Sequence, residues 1–348
     1  MKRITILGAV AVTVVMASTA AMPLEGQALR DQFRAVSPSV VVVRTLERTP
    51  APMPAGGFVS APGLGSGVLV SSDGKVLTAA HVVQTADRVA VEFSDGVIIP
   101  ARVVASAPRA DVALLQLQRV PPGAVVARLA DSDSLQVGDD VFIIGAPYGL
   151  SRTLTVGHVS GRHDMGRTVG GVTVEVLQTD AAVNMGNSGG PMFSTDGGVV
   201  GVVSHILSQS GGFEGVGFAV SSKAARALVL SHQSFWSGAD AYLLTGDLAG
   251  VFNVPQPAGL LVQRVADASP ASEVGLRAGM VRATIAGEPL LIGGDIILTV
   301  AGVAVADDAA VFDRIQDTLS RTPPGQTLAV TVLRAGKVVT LTTRAKAR

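Results

Sequence analysis

The chain has 348 residues, with 27 Lys plus Arg balanced by 27 Asp plus Glu, 48% hydrophobic residues, 16% charged residues and no cysteine. Such hydrophobicity at zero net charge excludes a disordered chain, and there is no basic excess of the kind that neutralises nucleic-acid phosphates. Without cysteine there is no disulfide, no thiol nucleophile and no Cys-ligated zinc or iron–sulfur centre. The length suits about two domains of roughly 150 residues, and 40 glycines, well above the typical ~7%, favour tight turns and short strands.

In chain order, Lys2 and Arg3 precede an apolar run to Met16 and then small residues from Ala17 to Ala21. This reads as a secretory signal peptide over residues 1–20, cut after Ala20; the alternative is an uncleaved anchor. The expected location is therefore periplasmic, or membrane-associated on the outer side of the inner membrane. Leu29, Phe33 and Val36 suggest one or two amphipathic helical turns, and residues 40–43 a buried strand. Residues 44–65, rich in Pro, Gly and Ala, read as a loop. From Gly67 onward short apolar runs flank Asp73-Gly74, Asp95-Gly96 and Asp196-Gly197. Asp-Gly between apolar runs is a hairpin signal, because glycine takes positive φ without a steric cost. Residues 222–231 read as a helix capped by Ser222, and residues 232–258 as loop-like. Beyond these come strands at 260–265 and 296–300, an amphipathic helix at 307–320 carrying Val311, Phe312, Ile315 and Leu319 on one face, and a hairpin across Ala335-Gly336. The pattern is a mainly β region to about residue 233, then a small α+β region from about 236.

Three segments carry the chemistry: His81 at the end of a strand, Asp111 at the start of one, and Ser188 in the Gly-rich stretch 186–191. A serine hydroxyl needs a base to take its proton, and the imidazole of His81 suits that work near neutral pH. A carboxylate such as Asp111 then fixes the tautomer and stabilises the imidazolium. The glycines around Ser188 let backbone N–H groups converge as an oxyanion hole, assigned to Gly186, Asn187 and Ser188. Each residue alone has an ordinary structural reading, as a packed histidine, a solvated strand end or a turn. Their joint occurrence in an all-β context raises the catalytic reading above those. The letters Gly-x-Ser-x-Gly at 186–190 also fit the elbow of an α/β-hydrolase, but that elbow opens a helix, and here Pro191 and a strand signal follow.

At these residues the chain resembles the HtrA/DegP-type branch of trypsin-like serine proteases. The resemblance rests on GSGVLVSSDGKVLTAAHVV (65–83), ADVALLQL (110–117), VGDDVFIIGAPYGLSRTLTVGHVSG (137–161), LQTDAAVNMGNSGGP (177–191) and GVGFAV (215–220). It implies a double antiparallel β-barrel over residues 27–233 with His81, Asp111 and Ser188 between the barrels. It also implies a homotrimer built through N-terminal segments, with Phe33 a candidate contact. In trypsin-like folds the position six before the nucleophile lines the primary specificity pocket. Here that is Ala182, with Asn184 nearby, so a cationic side chain would find no buried partner, and cleavage after small or medium aliphatic residues is expected. The stretch 204–214 is expected to form a mobile pocket wall. Met185 stands where the family usually has proline, which bears on the resting state of the oxyanion loop.

SPASEVGLRAG (269–279) and GGDIILTVAGVAV (293–305) resemble PDZ-domain signatures, implying a PDZ domain over residues 236–346 that takes peptide C-termini as an added strand. The carboxylate loop is expected near Trp236 and Gly238. Residues 280–292 are an insertion relative to the family pattern, expected to lengthen a loop beside the groove or alter which ligands enter it. No metal site or cofactor motif is visible; Gly65-Ser66-Gly67 lacks the strand–loop–helix context of a phosphate or dinucleotide loop. The combined expectation is an exported endopeptidase acting on unfolded or damaged polypeptides in protein quality control. The alternative is a PDZ-dependent chaperone or peptide-binding protein with minor or lost proteolysis.

Overall fold

A computed structural model of the chain describes residues 25–51, 57–150, 152–169, 171–232 and 234–346. The expected leader, residues 1–20, lies outside the described residues. Helix α1 (Glu25–Val36) comes first, and its Leu29, Phe33 and Val36 pack against the chain's own core.

Six strands then close a barrel: β1 (Val40–Pro50), β2 (Phe58–Leu69), β3 (Lys75–Thr78), β4 (Arg88–Glu92), β5 (Ile98–Ala107) and β6 (Val112–Leu117). Their order is β1-β2-β3-β6-β5-β4. In β4 the alternation is visible directly, with Val89 and Val91 buried among Val43, Leu69, Val76, Ile99 and Leu115 while Arg88 is exposed. Helix α2 (Ala80–Val83) follows β3. A second six-strand barrel is built from β7 (Asp140–Gly145), β8 (Thr153–Val169), β9 (Val172–Thr179), β10 (Pro191–Ser194), β11 (Val199–Ile206) and β12 (Gly217–Ser221). The two barrels share a further apolar layer holding Val68, Leu77, Leu114, Ile144, Phe193 and Val202. Within it Phe142 and Phe193 stack with ring centroids 5.1 Å apart. Burying each such side chain stabilises by about 1.5–3 kcal/mol, so this layer locks the barrels together and fixes the cleft between them.

The Asp-Gly turns are present, with Gly74, Gly96 and Gly197 all at positive φ. Residues 44–50 and 58–65, expected as loop, are strand. β1 and β2 pair continuously from Val40↔Val68 to Pro50↔Phe58. The outer half of this ribbon is largely solvated, so it lacks the apolar alternation that marks a strand in sequence. The helix expected at 222–231 is present as α3 (Ser222–Ala225) running into a π-helical turn at Arg226–Ser231. Its cap is Ser221, whose Oγ accepts from the Ala224 N–H; Ser222 instead donates to the Ala130 carbonyl.

The last region is a β-sheet with α4 (Gly246–Val251), α5 (Pro270–Glu273) and α6 (Ala309–Arg321) around it. Its strands are β13 (Ala239–Thr245), β14 (Ala258–Val265), β17 (Ile296–Val300), β18 (Val303–Ala304), β19 (Thr327–Arg334) and β20 (Lys337–Arg344), in the order β13-β14-β17-β19-β20 with β18 beside β17. Thus β13 and α4 occupy the stretch read as a loop. The insertion folds as its own hairpin, β15 (Val281–Ile285) and β16 (Glu288–Ile292). Successive strand residues point to opposite faces. Leu261, Ile296 and Leu290 pack on the hairpin side, and Leu260, Ile297 and Val330 on the other. The hairpin therefore covers the sheet face opposite α6. The Gln263 side chain ties it down, accepting from the Leu291 N–H at 2.7 Å and donating to its carbonyl at 3.2 Å.

Candidate active site

His81 sits on α2, delivered by β3, and Asp111 follows a 3-10 turn at Pro108–Ala110 that ends at the mouth of β6. Asp111 takes a left-handed backbone, φ 55°, which its short polar side chain tolerates better than most. The turn aims the carboxylate at the imidazole, and His81 Nδ1 lies 2.9 Å from both Oδ1 and Oδ2. The His81 backbone N–H donates to Oδ1 at 3.0 Å. Burial alone would push the His81 pKa down, but the hydrogen bond to Asp111 and its charge outweigh that and raise it. Burial likewise pushes Asp111 up, and the His81 hydrogen bond and charge, with a second bond from Ser204, hold its carboxyl below the ordinary range.

Ser188 lies in a loop that only glycine permits at two points. Gly186 has φ +102°, and a Cβ there would lie 2.3 Å from the Ala146 carbonyl oxygen; Gly189 has φ +84°, and its Cβ would lie 2.3 Å from the Ser66 carbonyl oxygen. Ser204 bridges the site. Its Oγ donates to Asp111 Oδ2 at 2.5 Å, and its carbonyl accepts from Ser188 Oγ at 3.3 Å. Ser188 Oγ thus points at Ser204, and among the described residues no hydrogen bond joins it to His81.

The peptide planes of the loop are anchored from outside. The Met185 carbonyl accepts from the Tyr148 N–H at 3.0 Å, and the Asn187 carbonyl from the Gly190 N–H at 2.8 Å. In a trans peptide C=O and N–H point opposite ways, so the Gly186 and Ser188 N–H groups are turned to the other side. Among the described residues neither has a hydrogen-bond partner. The Asn187 N–H, expected to join them, is used inside the loop, where it donates to the Asn184 carbonyl at 2.9 Å. The Asn187 side chain is 1% exposed, its Nδ2 on the Ala182 carbonyl and its Oδ1 without a partner. Ala182 is partly buried, and its carbonyl also accepts from Thr155 Oγ1 at 3.0 Å. Met185, three residues before Ser188, is exposed.

Ser66 is the residue that reading the sequence passed over. Fully buried on β2, its Oγ accepts from the Ala146 N–H at 2.9 Å and donates to the Gly186 carbonyl at 2.6 Å. Its N–H donates to the Ser188 carbonyl at 2.8 Å, and its own carbonyl accepts from Thr78 Oγ1 at 2.7 Å. One side chain from the first barrel therefore holds the Ser188 loop of the second. Its placement between Gly65 and Gly67 was the available signal, since Gly65 faces the Ser188 carbonyl at close range.

The double barrel with this site in its cleft has counterparts among known proteins. The trypsin-like peptidase domain family matches residues 65–202, and the PDZ domain family matches residues 215–344. A solved HtrA-type protease, AlgW with tripeptide, superposes with a TM-score of 0.51 at 30% identity over 92% of this chain and 97% of that one. The chain belongs to the HtrA family of serine proteases. Among curated HtrA-type relatives, a probable periplasmic serine endoprotease DegP-like of Ectopseudomonas mendocina (strain ymp) is 38% identical over 273 residues, 76% of this chain and 56% of the relative. A probable periplasmic serine protease do/HhoA-like of Haemophilus influenzae is 37% identical over 285 residues, 79% of this chain and 56% of the relative. The chain spans about half the length of these relatives.

In this HtrA chain the PDZ sheet docks on the first barrel close to His81 and Asp111. Gln84, three residues after His81, donates through Nε2 to the Ala239 carbonyl at 2.9 Å, and its own carbonyl accepts from Trp236 Nε1 at 3.0 Å. Arg109, two residues before Asp111, pairs with Asp313 of α6 at 3.1 Å and lies over the Phe312 ring. Between α6 and the sheet is an apolar groove of ≈ 340 Å³, lined by Ala241, Leu260, Val274, Ile297, Phe312 and Ile315. Ser237 and Ala239 lie at its barrel end. The Trp236 ring, however, packs on the first-barrel core, at the domain junction, and Gly238, φ +72°, packs against Ser269. Stretch 204–214 is tied by Glu214, whose carboxylate accepts from Ser210 Oγ and from the N–H groups of Gln209 and Ser210; these bonds hold its pKa down to about 2.

Proposed function

We propose that this chain is an exported serine endopeptidase that cleaves unfolded or damaged polypeptides through an acyl-enzyme, with a PDZ groove that takes peptide C-termini. The carrying observation is the His81–Asp111 pair at 2.9 Å, joined to Ser188 through Ser204, beside two backbone N–H groups without partners. In this reading the Ser188 side chain turns from the Ser204 carbonyl toward His81 Nε2, which takes its proton as Oγ attacks the scissile carbonyl. Asp111 holds the Nδ1–H and stabilises the imidazolium. The Gly186 and Ser188 N–H groups receive the oxyanion, a contribution of roughly 10²–10³ in rate per donor. His81 then protonates the leaving amine, and water repeats the sequence to release the acid.

Ala182, carrying no charge into the specificity pocket, favours small or medium aliphatic residues before the cut. The outer edge of β13 is unpaired in the sheet, and it borders the groove beneath α6, which supports strand addition there. The names of the relatives support a periplasmic site of action. No helix among the described residues is long and apolar enough to cross a membrane. Assembly as a homotrimer belongs to the same reading. Phe33 is engaged by its own chain, so other surfaces would carry that contact, which sedimentation of the purified protein would test.

The deciding experiment incubates the mature protein with unfolded casein beside Ser188→Ala. Casein should disappear only with the parent enzyme, in fragments ending mainly at aliphatic residues. Equal loss in both would overturn Ser188 as the nucleophile, and no loss in either with aggregation suppressed would replace the protease reading with the chaperone one.

A further inference from the structure

His205 takes no part in the chemistry described above, yet it touches the machinery that performs it. It follows Ser204 on β11, at a bulge in the pairing with β12, and its ring stacks on the cross-strand Phe218 with centroids 5.1 Å apart and planes at 26°. Its Nδ1 lies 2.9 Å from Ser204 Oγ. That same oxygen lies 2.5 Å from Asp111 Oδ2.

The hydroxyl of Ser204 has one proton and two neighbours able to accept it, the Asp111 carboxylate and the His205 ring nitrogen. An ionised carboxylate accepts only, and a charge-assisted bond is roughly twice as strong as a neutral one, so the proton goes to Asp111. Ser204 Oγ then offers lone pairs to His205, and the 2.9 Å contact is a bond only when Nδ1 carries the hydrogen. Donation into Oγ polarises the hydroxyl and strengthens its own bond to Asp111.

We infer that His205 is a positioning residue for the triad: its Nδ1–H orients the Ser204 hydroxyl onto Asp111, which keeps the carboxylate ionised and aimed at His81. The inference rests on the triad reading proposed above. It assigns His205 no contact with the reacting atoms, so its removal changes the rate of the chemical step.

Two substitutions separate the hydrogen bond from the stack. His205→Phe keeps a flat ring against Phe218 and removes the donor. His205→Asn removes the ring and places an amide N–H near the former Nδ1. Casein hydrolysis by His205→Phe is expected to fall about three- to tenfold in kcat. His205→Asn should stay within about twofold of the parent, and Ser204→Ala/His205→Phe should be no slower than Ser204→Ala alone. His205→Phe at the parental rate, His205→Asn as slow as His205→Phe, additive losses in the double variant, or an effect confined to KM would each overturn it. Ser188→Ala runs beside them: hydrolysis that survives it overturns the triad reading as well, whereas a dead Ser188→Ala with a fully active His205→Phe overturns this inference alone.

Discussion

Replacing Ser66 by alanine asks how firmly the first barrel holds the nucleophile loop of the second. The substitution removes one oxygen that accepts from the Ala146 N–H and donates to the Gly186 carbonyl, both at buried positions. The two backbone groups are left without partners in a site too tight to admit a replacement side chain. Each buried group so orphaned costs about 1–3 kcal/mol, so the closed loop loses about 2–6 kcal/mol relative to alternatives in which the groups reach water. Since about 1.4 kcal/mol is a factor of ten, the lower figure already shifts the equilibrium against the aligned Gly186 and Ser188 N–H groups more than tenfold. The assay is the rate at which a fluorophosphonate labels Ser188, measured beside the urea unfolding midpoint. Labelling should slow at least tenfold, by more than the change in global stability explains. A Ser66→Ala enzyme labelled within twofold of the parent, with an unchanged midpoint, would refute the claim that this side chain holds the loop.

Catalysis requires neutral His81, whose pKa Asp111 raises, so kcat/KM should be lost as pH falls through a midpoint above ~6.5. In Asp111→Asn the pairing is gone while burial remains, so the midpoint of the residual activity should move down; no movement would sever the two residues. Ala182→Asp places a carboxylate in the specificity pocket, and sequencing of casein fragments should show new cuts after Lys and Arg. Arg109→Ala removes a partly exposed ion pair and a ring contact, together about 1–2 kcal/mol of domain docking. Limited proteolysis near residue 232 should speed up severalfold, while unfolding of the barrels stays as it was.

The chemistry was legible in the linear chain where it depended on local geometry. Asp-Gly turns announce themselves because only certain residues accept positive φ, and the spacing of these turns is what makes a barrel reading possible. Ser188 stood out for the same reason, since Gly186 and Gly189 surround it at backbone angles that side chains avoid. His81 and Asp111 were found because they end and begin short apolar strands, even though 30 residues separate them along the chain. The lack of cysteine narrowed the choice of nucleophile, and zero net charge argued against a nucleic-acid partner, before any fold was drawn.

What the tertiary structure decided lies where partners meet across long stretches of chain. Ser66 and Gly186 are 120 residues apart, and Gln84 reaches Ala239 across 155. No periodicity marks such pairs, because one buried polar residue carries no pattern of its own. The outer half of the β1–β2 ribbon and all of β13 were missed because a strand whose faces are both partly wet loses the alternation that names it. The 280–292 insertion showed only as extra length; that it folds as a hairpin on the face opposite α6 follows from which side of β14 and β17 its leucines can bury. Sequence determined which residues can do the work. The packing of two barrels and one docked sheet decided which hydrogen bonds hold them in place, because those bonds exist only once distant segments share the same dry interior.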